Sequence, residues 1–264
     1  ADISIACWNY YCLTCDGQWL RTKAFPLMKA VADFWVSRVT RNDDGSYSIC
    51  NVVGADEYAN GVDDNAFTNG AAIRALEYAC EAARICNEPV PEIWKEVGKG
   101  IRILRFKDGV TREHATYNGE MIKQADVNLL GYPLYFVGDA ESQKKDMEYY
   151  VDKIDPQNGP AMSYSVFCVQ YARMGDAKRA YEMFCRCYQP NLRAPFGVLA
   201  ETPTSDNPYF MTGAGGLLQA VINGFCGLQI TDGGVEQLSS VLPAHWKKVT
   251  VKGVGPEKKM YVRE

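Results

Sequence analysis

The sequence predicts a mainly α-helical fold of paired helices closed by a short β-rich tail, and three observations carry that expectation. Apolar residues recur at three- and four-residue steps through most of the chain. Consecutive helical stretches are joined by loops, the pattern of αα hairpins. After Phe225 the rhythm changes to short alternating pieces separated by glycines. The expected division is therefore residues 1–225, helical, and residues 226–264, a small β-rich segment.

Leu27, Val31, Phe34, Trp35 and Val39 mark the first clear amphipathic helix. Pro26 suits its first turn, where no backbone N–H is needed. Asn42 to Ile49 carries the Asp44-Gly45 signal of a hairpin or turn. Ala72, Ile73, Leu76, Ala79, Cys80 and Ala83 mark a second helix. Further helical segments are expected near Pro91–Phe106, Gln124–Phe136 and Ala161–Met174. Another follows the Gly175-Asp176 break through Ala177, Ala180, Tyr181, Phe184 and Cys187, and the last spans Phe210–Phe225. In the tail, Leu228–Ile230, Lys248–Val251 and Met260–Val262 read as strands of a small antiparallel sheet.

Composition narrows the function classes. A length of 264 residues can bury about three quarters of the unfolded surface. The formal net charge is −4 and there is no basic run, which argues against a nucleic-acid groove. The longest uncharged stretches carry Gly, Asn and Gln, and read as buried helix rather than a membrane span. Cys80, Cys168 and Cys226 sit in apolar helical stretches, and Cys12-x-x-Cys15 has no second pair at zinc spacing. The ten cysteines thus read mostly as reduced, packed thiols. No signal peptide is visible, and the chain opens without Met, already inside a helical pattern. That N-terminus reads as a cut.

Three polar clusters stand out. Gly54 to Asn69 holds Asp56, Glu57, Asp63 and Asp64 with three amides, just before a helix. Capping by Asp63, Asp64 or Asn65 explains its later part but not Glu57 and Tyr58, which lie too far upstream. Asn118 to Asp126 contains the adjacent pair Lys123 and Gln124, either solvated helix surface or donors to sugar hydroxyls. Glu201 follows an apolar run and precedes Pro203 by two positions. Its carboxylate either bonds nearby loop amides or does chemistry, and the local residues leave both open. The glycines of Thr212–Gly216 permit close helix packing or close backbone approach.

At these clusters the sequence resembles glycoside hydrolase family 65, in the subgroup of kojibiose hydrolases and protein glucosylgalactosylhydroxylysine glucosidases. The resemblance runs through Ala55–Tyr58, Val62–Asn69, Ile122–Val127, Gly131–Pro133, Gly159–Ser165 and Phe210–Val221, in family order. It implies the C-terminal part of an (α/α)-barrel catalytic domain and an enzyme that hydrolyses α-linked glucosides. It implies Glu57 as general acid, Glu201 as general base, and Lys123 and Gln124 in the glucose subsite, with Asp56 and Tyr58 beside them as substrate-binding residues. The family needs no metal or other cofactor, and the resemblance implies a periplasmic or exported full-length enzyme.

Two departures are visible. Ala59 stands where the family usually has His. The family's N-terminal β-sandwich, first barrel helices and a Trp-acid motif of the sugar subsite have no counterpart here. The chain alone is therefore expected to show little activity. It is also expected to leave an apolar barrel face that the missing N-terminal part, or a second copy, would cover.

The chemistry implied is inversion. Glu57 would protonate the leaving oxygen while Glu201 deprotonates a water on the opposite face, the carboxyl groups standing roughly 6.5–9.5 Å apart. A rival is a disaccharide phosphorylase of the same fold, recognised by phosphate-dependent release of β-glucose 1-phosphate. No His occurs between Glu120 and Ala244, where a phosphate loop would need one, which favours water. A rival of another class is a non-catalytic carbohydrate-binding module, which would leave Glu57 and Glu201 on different faces.

Overall fold

Helix α1 (Asp2–Thr14) ends on Cys15 in the left-handed conformation, and α2 (Gly17–Trp19) follows at once. The Asp16 carboxylate caps α2 by accepting the Trp19 N–H at 2.8 Å. A π-helical turn, Leu20–Ala24, carries the same rod into α3 (Phe25–Arg38). The helix therefore begins well before Pro26, where the sequence pattern placed its start. The Phe25 N–H bonds Leu20 O, five residues back, so the ladder is already re-registered where Pro26 offers no donor. The face α3 buries also differs from the expected stripe. Phe25, Met28, Ala32 and Trp35 are inside, whereas Leu27 and Phe34 are exposed.

Strands β1 (Thr40–Arg41) and β2 (Tyr47–Ser48) form the hairpin expected around Gly45, whose φ of 83° suits glycine. Helix α4 (Ala66–Cys86) is capped by Asn65, which accepts the Thr68 N–H at 2.8 Å. Asp64, buried, instead pairs with Arg102 at 2.6 Å and accepts from Ser48. Helix α5 (Glu92–Gly100) stops six residues short of the expected Phe106, because Ile101 turns extended to bridge Tyr47. Helices α1, α3 and α5 pack on α4. These elements, with residues 230–235, make one compact unit: Ala1–Gly54, Ala59–Asn118 and Ile230–Val235. In its core Trp8 stacks on Tyr78 at 5.3 Å, and the Trp8 indole N–H donates to Asp232.

The second unit comprises Ala55–Tyr58, Gly119–Gln229 and Glu236–Glu264. Where a helix over Gln124–Phe136 was expected, only one 3₁₀ turn forms, Val127–Leu130, ahead of Gly131 and Pro133. Helix α6 (Ala140–Tyr150) escaped the periodicity analysis, since it buries only Asp146, Met147 and Tyr150. Helix α7 (Met162–Arg173) is the centre, with ten of its twelve residues buried. Helix α8 (Ala177–Arg186), capped by Asp176, packs against it. Strands β3 (Leu192–Arg193) and β4 (Val198–Leu199) form a short hairpin.

Helix α9 (Met211–Gln219) continues as a π-helical stretch, Ala220–Phe225, and both pack on α7. A methyl on Gly216 would meet Ser165 Oγ at 2.5 Å, and one on Gly224 would meet Val169 Cα at 3.2 Å. The glycines thus serve helix-to-helix approach. Phe184, Phe225 and Trp246 pack edge to face at 4.9–5.5 Å, and His245 sits against Tyr181 at 4.6 Å. The tail holds β5 (Leu228–Thr231), β6 (Gly234–Gln237), β7 (Val249–Val254) and β8 (Lys259–Arg263). They form two separate two-stranded pairs, β5 with β6 and β7 with β8, rather than one sheet.

This computed structural model describes residues 1–136, 139–207 and 209–264. All ten cysteines are free. Among the described residues, no helix is long and apolar enough to cross a membrane.

Candidate active site

The segment Ala55–Tyr58 has no regular structure, and side chains from later in the chain hold it. Buried Asp126 accepts the N–H groups of Ala55 and Asp56 on one carboxylate oxygen, at 2.9 and 3.3 Å. The Gln124 side-chain amide donates to the Ala55 carbonyl. Asp56, only 2% exposed, accepts the Lys123 N–H at 2.7 Å and the Tyr58 N–H at 3.2 Å on a single oxygen. Carboxylates accepting several backbone N–H groups make strong, directional clamps. Glu57, between these anchored neighbours, points outward with its side chain 58% exposed.

Its partner is Lys123, whose ammonium is bonded to the Glu57 carboxylate and lies 3.7 Å from Glu201. Lys123 is only 19% exposed, and hydrogen bonding to Glu57 is the main cause that raises its pKa above the ordinary lysine value. One cation therefore serves two carboxylates that are remote in sequence.

Glu201, one-third exposed, is fixed through its backbone. Its carbonyl accepts the Ala161 N–H at 3.1 Å and the Asn191 side-chain amide at 3.0 Å. Asn191, buried, also donates to Ala200 O at 3.1 Å. Beyond it, Arg193 donates to the carbonyls of Thr202, Pro203 and Ser205.

All six residues singled out in the sequence thus lie in the second unit. Glu57, Lys123 and Glu201 meet at one ion cluster, while Asp56 and Gln124 hold the loop backbone that presents Glu57. Tyr58, half-exposed, donates its hydroxyl to Asp155 at 2.8 Å. Sequence reasoning did not single out Asp126, Asp155 or Asn191 as parts of the site. The only available signal was the turn composition Asp155-Pro156-Gln157-Asn158-Gly159, which reads as an ordinary turn. Ala59, where a His was expected of the family, is buried.

The profile of the glycosyl hydrolase family 65 central catalytic domain matches residues 1–117. Kojibiose hydrolase of Mucilaginibacter mallensis is 50% identical over 262 residues, 99% of this chain and 39% of that protein. Kojibiose hydrolase of Flavobacterium johnsoniae is 49% identical over 262 residues, 99% of this chain and 38% of that protein. The chain belongs to glycoside hydrolase family 65. A third family 65 relative, the protein-glucosylgalactosylhydroxylysine glucosidase of Dictyostelium discoideum, is 38% identical over 89% of this chain and 34% of that protein. This family 65 chain spans about two fifths of the length of the relatives it matches. Among solved structures, one described as a kojibiose phosphorylase from the human microbiome superposes with a TM-score of 0.73. It covers 98% of this chain and 43% of that one, at 17% identity. A likeness at that identity bears on fold alone, and the fold is mainly helical, like part of an (α/α) barrel.

Proposed function

We propose that this chain carries the two catalytic carboxylates of an inverting glycoside hydrolase acting on α-linked glucosides, of the kojibiose or glucosyl-galactosyl kind. The observation that carries the reading is the single ammonium of Lys123 shared by Glu57 and Glu201. Two carboxylates across one small site are what glycosidic hydrolysis requires. Glu57 donates its proton to the glycosidic oxygen as the bond to the anomeric carbon breaks. Glu201 takes a proton from the water whose oxygen bonds that carbon from the other side, and solvent then restores both groups.

The Lys123 ammonium occupies the Glu57 carboxylate, so Glu57 must part from Lys123 to reach the glycosidic oxygen. Its exposure leaves the side chain free to turn, and sugar hydroxyls together with Glu201 offer Lys123 other acceptors. Lys123 then acts on the glucosyl unit, and the half-exposed ring of Tyr58 offers an apolar face beside it. Water rather than phosphate is favoured by relatives near 50% identity that are named hydrolases, against a phosphorylase at 17%. The apolar residues exposed on α1 and α3 (Ile3, Tyr10, Leu27 and Phe34) fit a surface covered by the remainder of the same enzyme or a second copy.

The test compares two substrates in the full-length protein. Glu57→Gln should lose about two to four orders of magnitude on kojibiose and keep turnover of α-glucosyl fluoride, whose leaving group needs no proton. Glu201→Gln should lose both. Equal loss on both substrates in Glu57→Gln removes the acid assignment, and turnover that depends on inorganic phosphate removes the hydrolase reading.

A further inference from the structure

Asp155 is tied to three parts of the site at once. Its carboxylate accepts the Tyr58 hydroxyl at 2.8 Å, the N–H groups of Gln157 and Asn158 at 2.8 and 3.0 Å, and the Asn158 side-chain amide at 3.0 Å. Its backbone N–H donates to Ile122 O at 2.8 Å, immediately before Lys123. Its carbonyl accepts the Gly159 N–H at 2.8 Å, closing the turn whose later residue Ala161 donates to Glu201 O. Farther along, Thr204 Oγ1 reaches Gln157 O at 3.2 Å. The turn 155–161 is thus bonded to the residue after Glu57, to the residue before Lys123, and to Glu201 itself.

We infer that Asp155 is a positioning residue: through the Tyr58 hydroxyl it fixes the C-terminal end of the 55–58 segment and so sets where the Glu57 carboxylate stands. The inference rests on the reading of Glu57 as the general acid. The geometry gives it a direction. The 55–58 segment is held at its start by Asp126 and Gln124, and Asp56 bonds the Tyr58 N–H from within. Beyond Glu57, the Tyr58–Asp155 bond is the side-chain tie from the segment to a different part of the chain. Cutting it frees the segment on the far side of Glu57 only. Glu201 keeps its own ties to Ala161 and Asn191. Four hydrogen bonds, that of the Asn158 N–H foremost, hold the Asp155 carboxyl well below the usual carboxylate range. It is therefore an acceptor throughout the working pH range and does not compete as an acid.

The experiment is a double-mutant cycle on the full-length enzyme with Tyr58→Phe and Asp155→Asn, each assayed on kojibiose and on α-glucosyl fluoride. Each single variant should lower kcat on kojibiose by about 10-fold or more, in line with the sensitivity of catalysis to small misplacement. Each should stay within about threefold of wild type on the fluoride, which needs no proton from Glu57. The double variant should be no worse than the weaker single, since both remove one interaction. A purely structural role would lower both substrates together, and additive losses would mean the two residues act separately. Either result overturns the inference. Glu57→Gln in the same assays separates the two levels. If it shows the substrate contrast and Asp155→Asn does not, the positioning role fails alone; if Glu57→Gln shows none, the acid assignment fails first.

Discussion

In Gly159→Ala the new methyl group has nowhere to go. Its carbon would stand 2.7 Å from Ile154 Cγ2 and 3.2 Å from Lys123 O, and closer still to the Asp155 carbonyl oxygen. Carbon atoms settle about 3.5–4.0 Å apart, so relief of the first contact alone demands a shift of roughly 1 Å. Two of the three neighbours are backbone atoms, which cannot swing aside as a flexible side chain would. The shift must therefore pass into the segments that carry Lys123 and Asp155. Overpacking of this kind costs about 1–3 kcal/mol in stability. A displacement near 1 Å at a reacting site costs about 100-fold in rate. The assay is kcat/KM of the full-length enzyme on kojibiose, with a thermal midpoint measured beside it. Gly98→Ala is the matched control. There the added carbon makes ordinary contacts with Leu76 at 3.6 and 3.8 Å, and replacing a helical glycine should raise stability by up to about 1 kcal/mol without touching turnover. Gly159→Ala retaining turnover within threefold of wild type would refute the claim that the turn is packed rigidly against the site.

Three further outcomes follow from the anchors. Asp126→Ala removes an acceptor of two backbone N–H groups and should destabilise by about 2–4 kcal/mol. Its loss of turnover should fall mainly on kojibiose, measured against the fluoride. Asn191→Ala, which strips donors from Ala200 O and Glu201 O, should instead lower both substrates alike, because the segment it frees carries the base. Asp155 has its carboxyl depressed in the fold, so its stabilising contribution is complete above the ordinary aspartate range near pH 4 and fades as pH falls below it. The gap in thermal midpoint between wild type and Asp155→Asn should be open at pH 7 and close towards pH 2; a gap that widens on acidification would reverse the sign.

Legibility of the fold followed the strength of the periodic signal. Helices α4, α7 and α8 bury apolar residues at helical spacing, and the sequence marked each of them; α9 was marked too, although what it buries is Gly213 and Gly216. Helix α6 lacks that signal because it is a polar surface helix whose start is set by the Asp139 cap. The segment after Gln124 carries apolar residues enough for a helix, but Gly131 and Pro133 restrict it to one 3₁₀ turn. On α3 the apolar residues lie on more than one face, so periodicity named the wrong one. At the site, Glu57 stood out because it lies too far upstream to cap a helix, whereas the local residues left Glu201 open and the family resemblance singled it out. Asp126, Asp155 and Asn191 were not, since their partners are backbone groups of other segments and no local pattern marks them. Asp56 and Gln124 show the same limit: the family resemblance implied sugar contact, while their side chains bond backbone groups of Lys123, Tyr58 and Ala55.

The dependence of the 55–58 segment on distant anchors has a consequence for the order of assembly. Glu57 is among the first quarter of these residues to be synthesised, yet its partner Lys123 comes 66 positions after it, and Asp155 comes 97 after Tyr58. Helix α7, into which the 155–161 turn leads, has almost no face fit for water. It stays a liability until α8, α9 and the stretch to Phe225 arrive to cover it. The acid is therefore written early and set late. During synthesis at about 5–20 residues per second, the segment that bears it remains loose for roughly ten seconds or more after it leaves the ribosome. A chain released before Phe225 would keep Glu57 and its holders but lack the cover of α7.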